Sequence, residues 1–128
     1  MRILSTRFHG VIDYVVGLFL IALPYLFGFA TGGPKHWIPV ALGGGAIAYS
    51  LITRYELGLF GLLSMPVHLG LDIASGILLA VSPWLFGFAN EVFWPHLIVG
   101  LMEIAIASIT QTVPSNANGY AVQRPIGQ

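Results

Sequence analysis

Residues 4–30 decide the fold. They read LSTRFHGVIDYVVGLFLIALPYLFGFA, and residues 63–89 repeat them as LSMPVHLGLDIASGILLAVSPWLFGFA. The two stretches start 59 residues apart and are identical at 12 of 27 aligned positions. In the middle of the stretch the identical pairs follow one another at steps of three and four, which places them on one face of a helix. These pairs are His9/His68, Asp13/Asp72, Gly17/Gly76, Leu20/Leu79 and Pro24/Pro83. The sequence is therefore a tandem duplication, and the helix face that both copies kept carries a histidine and an aspartate.

The composition predicts a membrane protein. Of the 128 residues, 56% are hydrophobic and 8% are charged, with a mean hydropathy of +0.84. A soluble domain has about a quarter of its residues charged, so these charges are too few to cover a water-exposed surface. The chain has no cysteine, which excludes disulfides and thiolate metal sites. The formal net charge is zero and there is no basic patch, so we expect the lipid bilayer and no nucleic acid as a partner.

Four apolar stretches are long enough to cross a hydrocarbon core of about 30 Å at 1.5 Å per residue. We predict spans over roughly residues 8–29, 37–53, 66–88 and 94–112. The second and fourth spans also match each other, 57 residues apart, at Trp37/Trp94, Gly43/Gly100, Ile47/Ile104, Ala48/Ala105, Ile52/Ile109 and Thr53/Thr110. The repeat unit is therefore a hairpin of two spans. We predict a first hairpin over residues 1–62, a second over 63–113, and a polar tail over 114–128.

Two spans return the chain to the side where it began, so both hairpins should have the same orientation in the membrane. The predicted fold is an all-α integral membrane four-helix bundle of two tandem hairpins, related by a pseudo-twofold axis along the membrane normal. Lys35 lies on one side of the predicted membrane. The other side carries four arginines: Arg2, Arg7, Arg54 and Arg124. The positive-inside rule then predicts a multi-pass protein with both termini in the cytoplasm.

Prolines and glycines mark the predicted bends and close contacts. Pro24 and Pro83 lie about two thirds of the way through their spans, where proline bends or ends a helix. Gly28 and Gly87 follow them and fit a helix C-terminus or a close backbone contact. A patch of three small residues in the second span predicts a place where another helix can approach closely. This patch consists of Gly43, Gly44 and Gly45.

The segment Ser82–Phe88, SPWLFGF, lies in the first span of the second hairpin. It resembles the motif of the SPW repeat family of small bacterial membrane proteins. The first copy departs from this motif, with Leu23-Pro24-Tyr25 at the matching place. The resemblance implies an integral protein of the bacterial inner (plasma) membrane built of two-span repeats. It implies no particular activity.

Three acidic residues fall inside predicted spans, where charged groups are costly and usually have partners. Asp13 and Asp72 each follow a histidine, His9 or His68, by four positions, so each pair shares a helix face. Glu103 lies at a similar predicted depth and has no counterpart in the first copy, where Ala46 stands. All five groups could therefore meet in one cluster near the cytoplasmic side of the bundle.

Three interpretations of this cluster remain open. The histidines and aspartates can cross-link the hairpins and satisfy each other. They can form a metal site, because two histidines and two carboxylates suit zinc, iron or manganese; a haem held by His9 and His68 is a variant of this interpretation. Finally, Glu103 can be the titrating carboxyl of an ion or proton pathway.

The leading functional hypothesis is a small, non-enzymatic accessory or scaffolding subunit without a cofactor. The chain has no GxSxG or HExxH motif, no phosphate-binding glycine loop and no Rossmann fingerprint, and its predicted outer loops are too short to hold a substrate. The glycine patch and the polar tail favour packing against a membrane-protein partner or a second copy of the chain.

Overall fold

The computed structural model describes residues 1–114 and contains four α-helices. They are α1 (Thr6–Leu26), α2 (Pro34–Ile52), α3 (Met65–Leu85) and α4 (Trp94–Ile109). The prediction of an all-helical protein with four helices is confirmed. Between residues 1 and 114, strand-type pairing is limited to two isolated bridges. The predicted tail lies outside the described residues, apart from Pro114.

α1 and α3 begin and end at matching places. Ser5 and Ser64 precede them, and the Ser5 hydroxyl accepts a hydrogen bond from the Phe8 N–H at 3.2 Å. Both helices end two residues after their internal proline. Gly28 and Gly87 follow, with φ of +75° and +76°, a left-handed conformation that glycine adopts without steric cost. Both helices are therefore about three residues shorter at this end than the sequence predicts.

Each helix packs most closely against its partner in the same hairpin, α1 against α2 and α3 against α4. The backbones approach at glycines. A Cβ on Gly43 would lie 2.5 Å from the Gly17 carbonyl oxygen, and a Cβ on Gly100 would lie 2.5 Å from that of Gly76. Only glycine allows such close contact, so these four positions set the two helix crossings.

Backbone hydrogen bonds show which helix ends lie together. The Leu4 N–H donates to the Ile109 carbonyl at 3.0 Å, and the Leu63 N–H donates to the Ile52 carbonyl at 2.9 Å. The segments that lead into α1 and α3 are thus joined to the last residues of α4 and α2. Both hairpins therefore start and finish at this end of the molecule.

α1 and α3 are long and apolar enough to cross a membrane, by length and composition; α4 is apolar but has 16 residues. Large apolar side chains face outward along the helices, for example Val15 at 61% exposed and Leu18 at 63%. At the end of the bundle opposite the N-terminus, four aromatic residues are each about half exposed and are among several aromatics there: Tyr25, Trp37, Trp84 and Trp94. This outer surface suits a lipid environment better than water.

Candidate functional site

Four side chains from the helix face that the two repeats share converge in the interior of the bundle. His9 and Asp13 come from α1, and His68 and Asp72 come from α3; all four are buried. One ligand-type atom from each, a ring nitrogen or a carboxylate oxygen, lies within 4.8 Å of all the others. Because the two residues of each helix are four positions apart, one helical turn presents both to the same point.

Each histidine contacts both aspartates through Nε2. His9 Nε2 lies 3.0 Å from Asp13 Oδ1 and 3.0 Å from Asp72 Oδ2. His68 Nε2 lies 3.0 Å from Asp13 Oδ2 and 3.4 Å from Asp72 Oδ2. The contacts between α1 and α3 are thus as short as those within each helix, so the cluster joins the two hairpins.

The other ring nitrogen of each histidine is held by a threonine. His9 Nδ1 lies 2.8 Å from the Thr110 hydroxyl, and His68 Nδ1 lies 2.7 Å from the Thr53 hydroxyl. Both hydroxyls also donate to the backbone carbonyl four residues earlier, at 2.7 Å for Thr110 and 2.6 Å for Thr53.

These threonines fix the histidine tautomers. A hydroxyl has one hydrogen, and in each threonine the backbone carbonyl takes it, so the hydroxyl oxygen can only accept from the imidazole. Nδ1 of both His9 and His68 therefore carries a hydrogen. Nε2 of each ring then faces the carboxylates either with a second proton or with a bare lone pair. A bare lone pair beside a carboxylate oxygen is repelled by it unless a metal cation, or a proton on the carboxyl group, lies between them.

Hydroxyl groups donate further hydrogen bonds to both carboxylates. The Tyr49 hydroxyl donates to Asp72 Oδ1, while those of Ser50 and Tyr55 donate to Asp13 Oδ2 at 3.3 Å and 3.4 Å. Tyr55 lies beyond the end of α2, where burial and the Asp13 charge raise the pKa of its phenol. The phenol therefore remains a hydrogen-bond donor at neutral pH.

The arrangement has the chemistry and nearly the dimensions of a metal site. Nitrogen and oxygen ligands at about 2.0–2.2 Å from a tetrahedral ion lie roughly 3.3–3.6 Å from one another. The four Nε2–carboxylate contacts, which use both oxygens of Asp13, are 3.0, 3.0, 3.0 and 3.4 Å long, so around an ion most of them would lengthen by a few tenths of an ångström. Histidines that bind metals almost always donate their other N–H to an acceptor, as both do here to threonine.

The same geometry does not favour the haem variant. The His9 and His68 rings lie edge to face with centroids 5.5 Å apart. The Asp13 and Asp72 carboxylates contact both Nε2 atoms and so occupy the region where a porphyrin would have to lie.

Glu103 lies beside this cluster without joining it. It lines a cavity of about 20 Å³ together with His9, Asp13, Tyr49 and Asp72. Its Oε2 atom is buried and has no hydrogen-bond partner among the described residues. The Tyr49 hydroxyl, which lines the same cavity, donates to Asp72 Oδ1. The sequence pattern anticipated five groups in one cluster, and the structure brings four together with the fifth adjacent.

The remaining histidines lie at the other end of the bundle. His96 Nε2 is 3.0 Å from the Lys35 carbonyl oxygen, and His36 Nε2 is 3.2 Å from the Tyr25 hydroxyl. An ion pair between Lys35 and Glu91 joins the first turn of α2 to the loop between α3 and α4. These contacts connect helix ends and bring no carboxylate to either imidazole.

Comparison with known families identifies the chain. The family model for the SPW repeat domain matches residues 7–110. The chain belongs to the SPW repeat family. This confirms the resemblance carried by the Ser82–Phe88 segment. No curated protein and no solved structure matches the chain.

The SPW repeat match extends over the whole cluster, from His9 to Thr110. Sequence reasoning had found the two histidines and two aspartates but had missed the roles of Thr53 and Thr110. The signal was present, because these threonines are one of the identical pairs of the second and fourth spans. The sequence did not show that each threonine contacts a histidine of a different helix.

Proposed function

We propose that this protein is a four-span, non-enzymatic membrane protein that binds one divalent transition-metal ion through His9, Asp13, His68 and Asp72. The observation that carries the proposal is the orientation of the two imidazoles. In each ring, Nδ1–H donates a hydrogen bond to a threonine hydroxyl. Both Nε2 atoms are therefore directed at the same pair of carboxylates. This is how proteins orient histidine ligands around a metal.

Charge balance supports a cation at this point. Two buried carboxylates carry two negative charges, which an apolar environment does not tolerate uncompensated. A divalent ion bound by neutral imidazoles makes the cluster neutral. Two protons on the imidazoles give the same net charge, so metal content is the decisive measurement.

The donor set narrows the choice of ion. Two imidazoles and two carboxylates suit zinc, iron(II) or manganese(II), whereas magnesium and calcium prefer oxygen ligands throughout. Since each hairpin supplies one histidine and one aspartate, the bound ion would brace α1 against α3. In this role the metal stabilises the fold and takes part in no reaction.

The test is metal analysis of the full-length protein purified in mild detergent and dialysed against zinc, iron(II) or manganese(II). We expect about one ion per chain for one of these metals. The double variant His9→Ala, His68→Ala should lose it. The matched control, His36→Ala with His96→Ala, removes the same number of histidines at the far end and should keep it. A folded wild-type protein that stays metal-free would assign the cluster to proton-bridged ion pairs.

The membrane topology is part of the same proposal. α1 and α3 satisfy the length and composition of a span, and the other helix of each hairpin returns to the end where the hairpin began. With Arg2, Arg7 and Arg54 at the end where the hairpins begin and Lys35 at the other, we propose that both termini lie in the cytoplasm and the bundle in the bacterial inner membrane. The two hairpins are then related by a twofold axis along the membrane normal.

A second candidate function is that of an accessory or scaffolding subunit, and one observation favours it. A Cβ on Gly44 or Gly45 would meet nothing within 4 Å among the described residues, whereas their neighbour Gly43 is used against α1. Two of the three patch glycines thus face away from the bundle and suit a helix of a membrane partner or a second copy.

Purification in mild detergent tests this second candidate function: Gly44→Leu should release a partner or a dimer that the wild type retains. A wild type that is monomeric and alone contradicts it. Ion or proton conduction through Glu103 stays a prediction from the sequence.

A further inference from the structure

The groups around Glu103 point to an additional ligand of the cluster. Its buried Oε2 atom has no partner within residues 1–114, although buried carboxylate oxygens nearly always have one. The carboxyl group lines a cavity whose other polar walls are His9, Asp13, Tyr49 and Asp72. Such a polar group is satisfied by a bound water when the space is large enough and other polar atoms are in reach.

The cavity has the size of one water molecule. Its volume of about 20 Å³ exceeds the 10–15 Å³ or so that a single water requires and is far below the volume of an organic ligand. Three of the four proposed metal ligands line it, so a water there is next to the ion. Ala46, the repeat counterpart of Glu103, also lines the cavity, and its small side chain leaves this space open.

We infer that the metal ion binds a water molecule in this cavity and that this water donates a hydrogen bond to Glu103 Oε2. The inference rests on the proposed metal site. It gives the ion four protein ligands and one exchangeable oxygen, one ligand more than a tetrahedral structural site, while its bracing role stays the same. It also explains why the second repeat has Glu103 where the first has Ala46. The cavity holds one water, and one carboxylate is enough to accept its hydrogen bond.

Manganese(II) is the probe for the experiment, because its electron spin couples to a magnetic oxygen nucleus bound to it. The full-length protein in detergent is loaded with manganese(II) and transferred to ¹⁷O-enriched water, and the ¹⁷O hyperfine coupling is measured by pulsed electron–nuclear double resonance. The wild type should show a directly bound oxygen. Glu103→Leu, which replaces the acceptor with an apolar side chain of similar size, should lose the coupling while retaining about one manganese per chain. Glu103→Gln, which keeps an acceptor, should retain both.

Ala46→Val tests the same inference without changing Glu103, because it adds bulk to another residue that lines the cavity. It should lose the ¹⁷O coupling and keep the metal. Met102→Leu, on the exposed side of α4, is the control and should behave as the wild type. Bound manganese without ¹⁷O coupling in the wild type overturns the water and leaves the metal site standing. Coupling that survives both Glu103→Leu and Ala46→Val overturns the position in the cavity. A wild type that binds no manganese, zinc or iron overturns the metal site and the water together.

Discussion

His9 Nε2 lies 3.0 Å from Asp72 Oδ2, although the two residues are 63 positions apart in the chain. The reciprocal contact, His68 Nε2 to Asp13 Oδ2, has the same length across 55 positions. Each histidine thus reaches the aspartate of the other repeat as well as its own. One hairpin alone supplies only half of the cluster, so the cluster ties the fold of one repeat to that of the other.

Removing one carboxylate should strongly destabilise the metal-free protein. Asp13→Asn leaves both imidazoles facing a single buried carboxylate, and breaking a buried ion pair in this way costs about 3–5 kcal/mol. The measurement is reversible thermal or denaturant unfolding in detergent with a chelator present. Glu91→Gln is the control: it breaks the ion pair with Lys35, in which Glu91 is 60% exposed, and should cost at most about 1 kcal/mol. Equal effects of the two substitutions would contradict the assigned role of the cluster.

The threonines should tune metal affinity without binding the metal. Thr53→Val and Thr110→Val keep the side-chain shape but remove the acceptor for Nδ1–H of His68 or His9. Loss of such a hydrogen bond typically lowers metal affinity 10- to 100-fold. Competition with a chromophoric chelator measures the affinity, and stoichiometry at saturating metal should stay at one. Thr31→Val, at an exposed loop position, is the matched control. Unchanged affinity in both cluster variants would show that the threonines do not orient the ligands.

Neighbouring glycines of α2 should respond oppositely to the same substitution. Gly43→Ala places a methyl group 2.5 Å from the Gly17 carbonyl oxygen and forces α1 and α2 apart, at a cost of about 1–3 kcal/mol. Gly44→Ala meets open space and gains up to about 1 kcal/mol from the higher helix propensity of alanine. Melting temperatures in one detergent compare the two directly. A destabilising Gly44→Ala would instead indicate that this face is already packed.

Much of this arrangement was readable from the sequence, because a duplication records which residues share a helix face. The spacing of His9 and Asp13 placed both side chains on one turn of α1, and the second copy did the same for α3. The contacts between helices were not readable. Thr110 meets His9 only because the end of α4 is joined to the segment before α1, and Glu103 lies beside the cluster, at the cavity that His9, Asp13 and Asp72 also line. The direction that each glycine of α2 faces likewise depends on the helix crossing, which no local pattern fixes.

Membrane topology can be tested with single cysteines, because the natural chain has none. Asn90→Cys lies in the loop between α3 and α4, and Leu59→Cys lies in the loop between α2 and α3, where Leu59 is 74% exposed. Four spans with cytoplasmic termini place these loops on opposite sides of the membrane. A membrane-impermeant maleimide added to spheroplasts should therefore label Asn90→Cys at once and Leu59→Cys only after permeabilisation. If Leu59→Cys alone is labelled in intact spheroplasts, the orientation in the membrane is the opposite of the predicted one. Labelling of both would mean that α3 does not span the membrane, and the charge argument from Arg54 and Lys35 would fail with it.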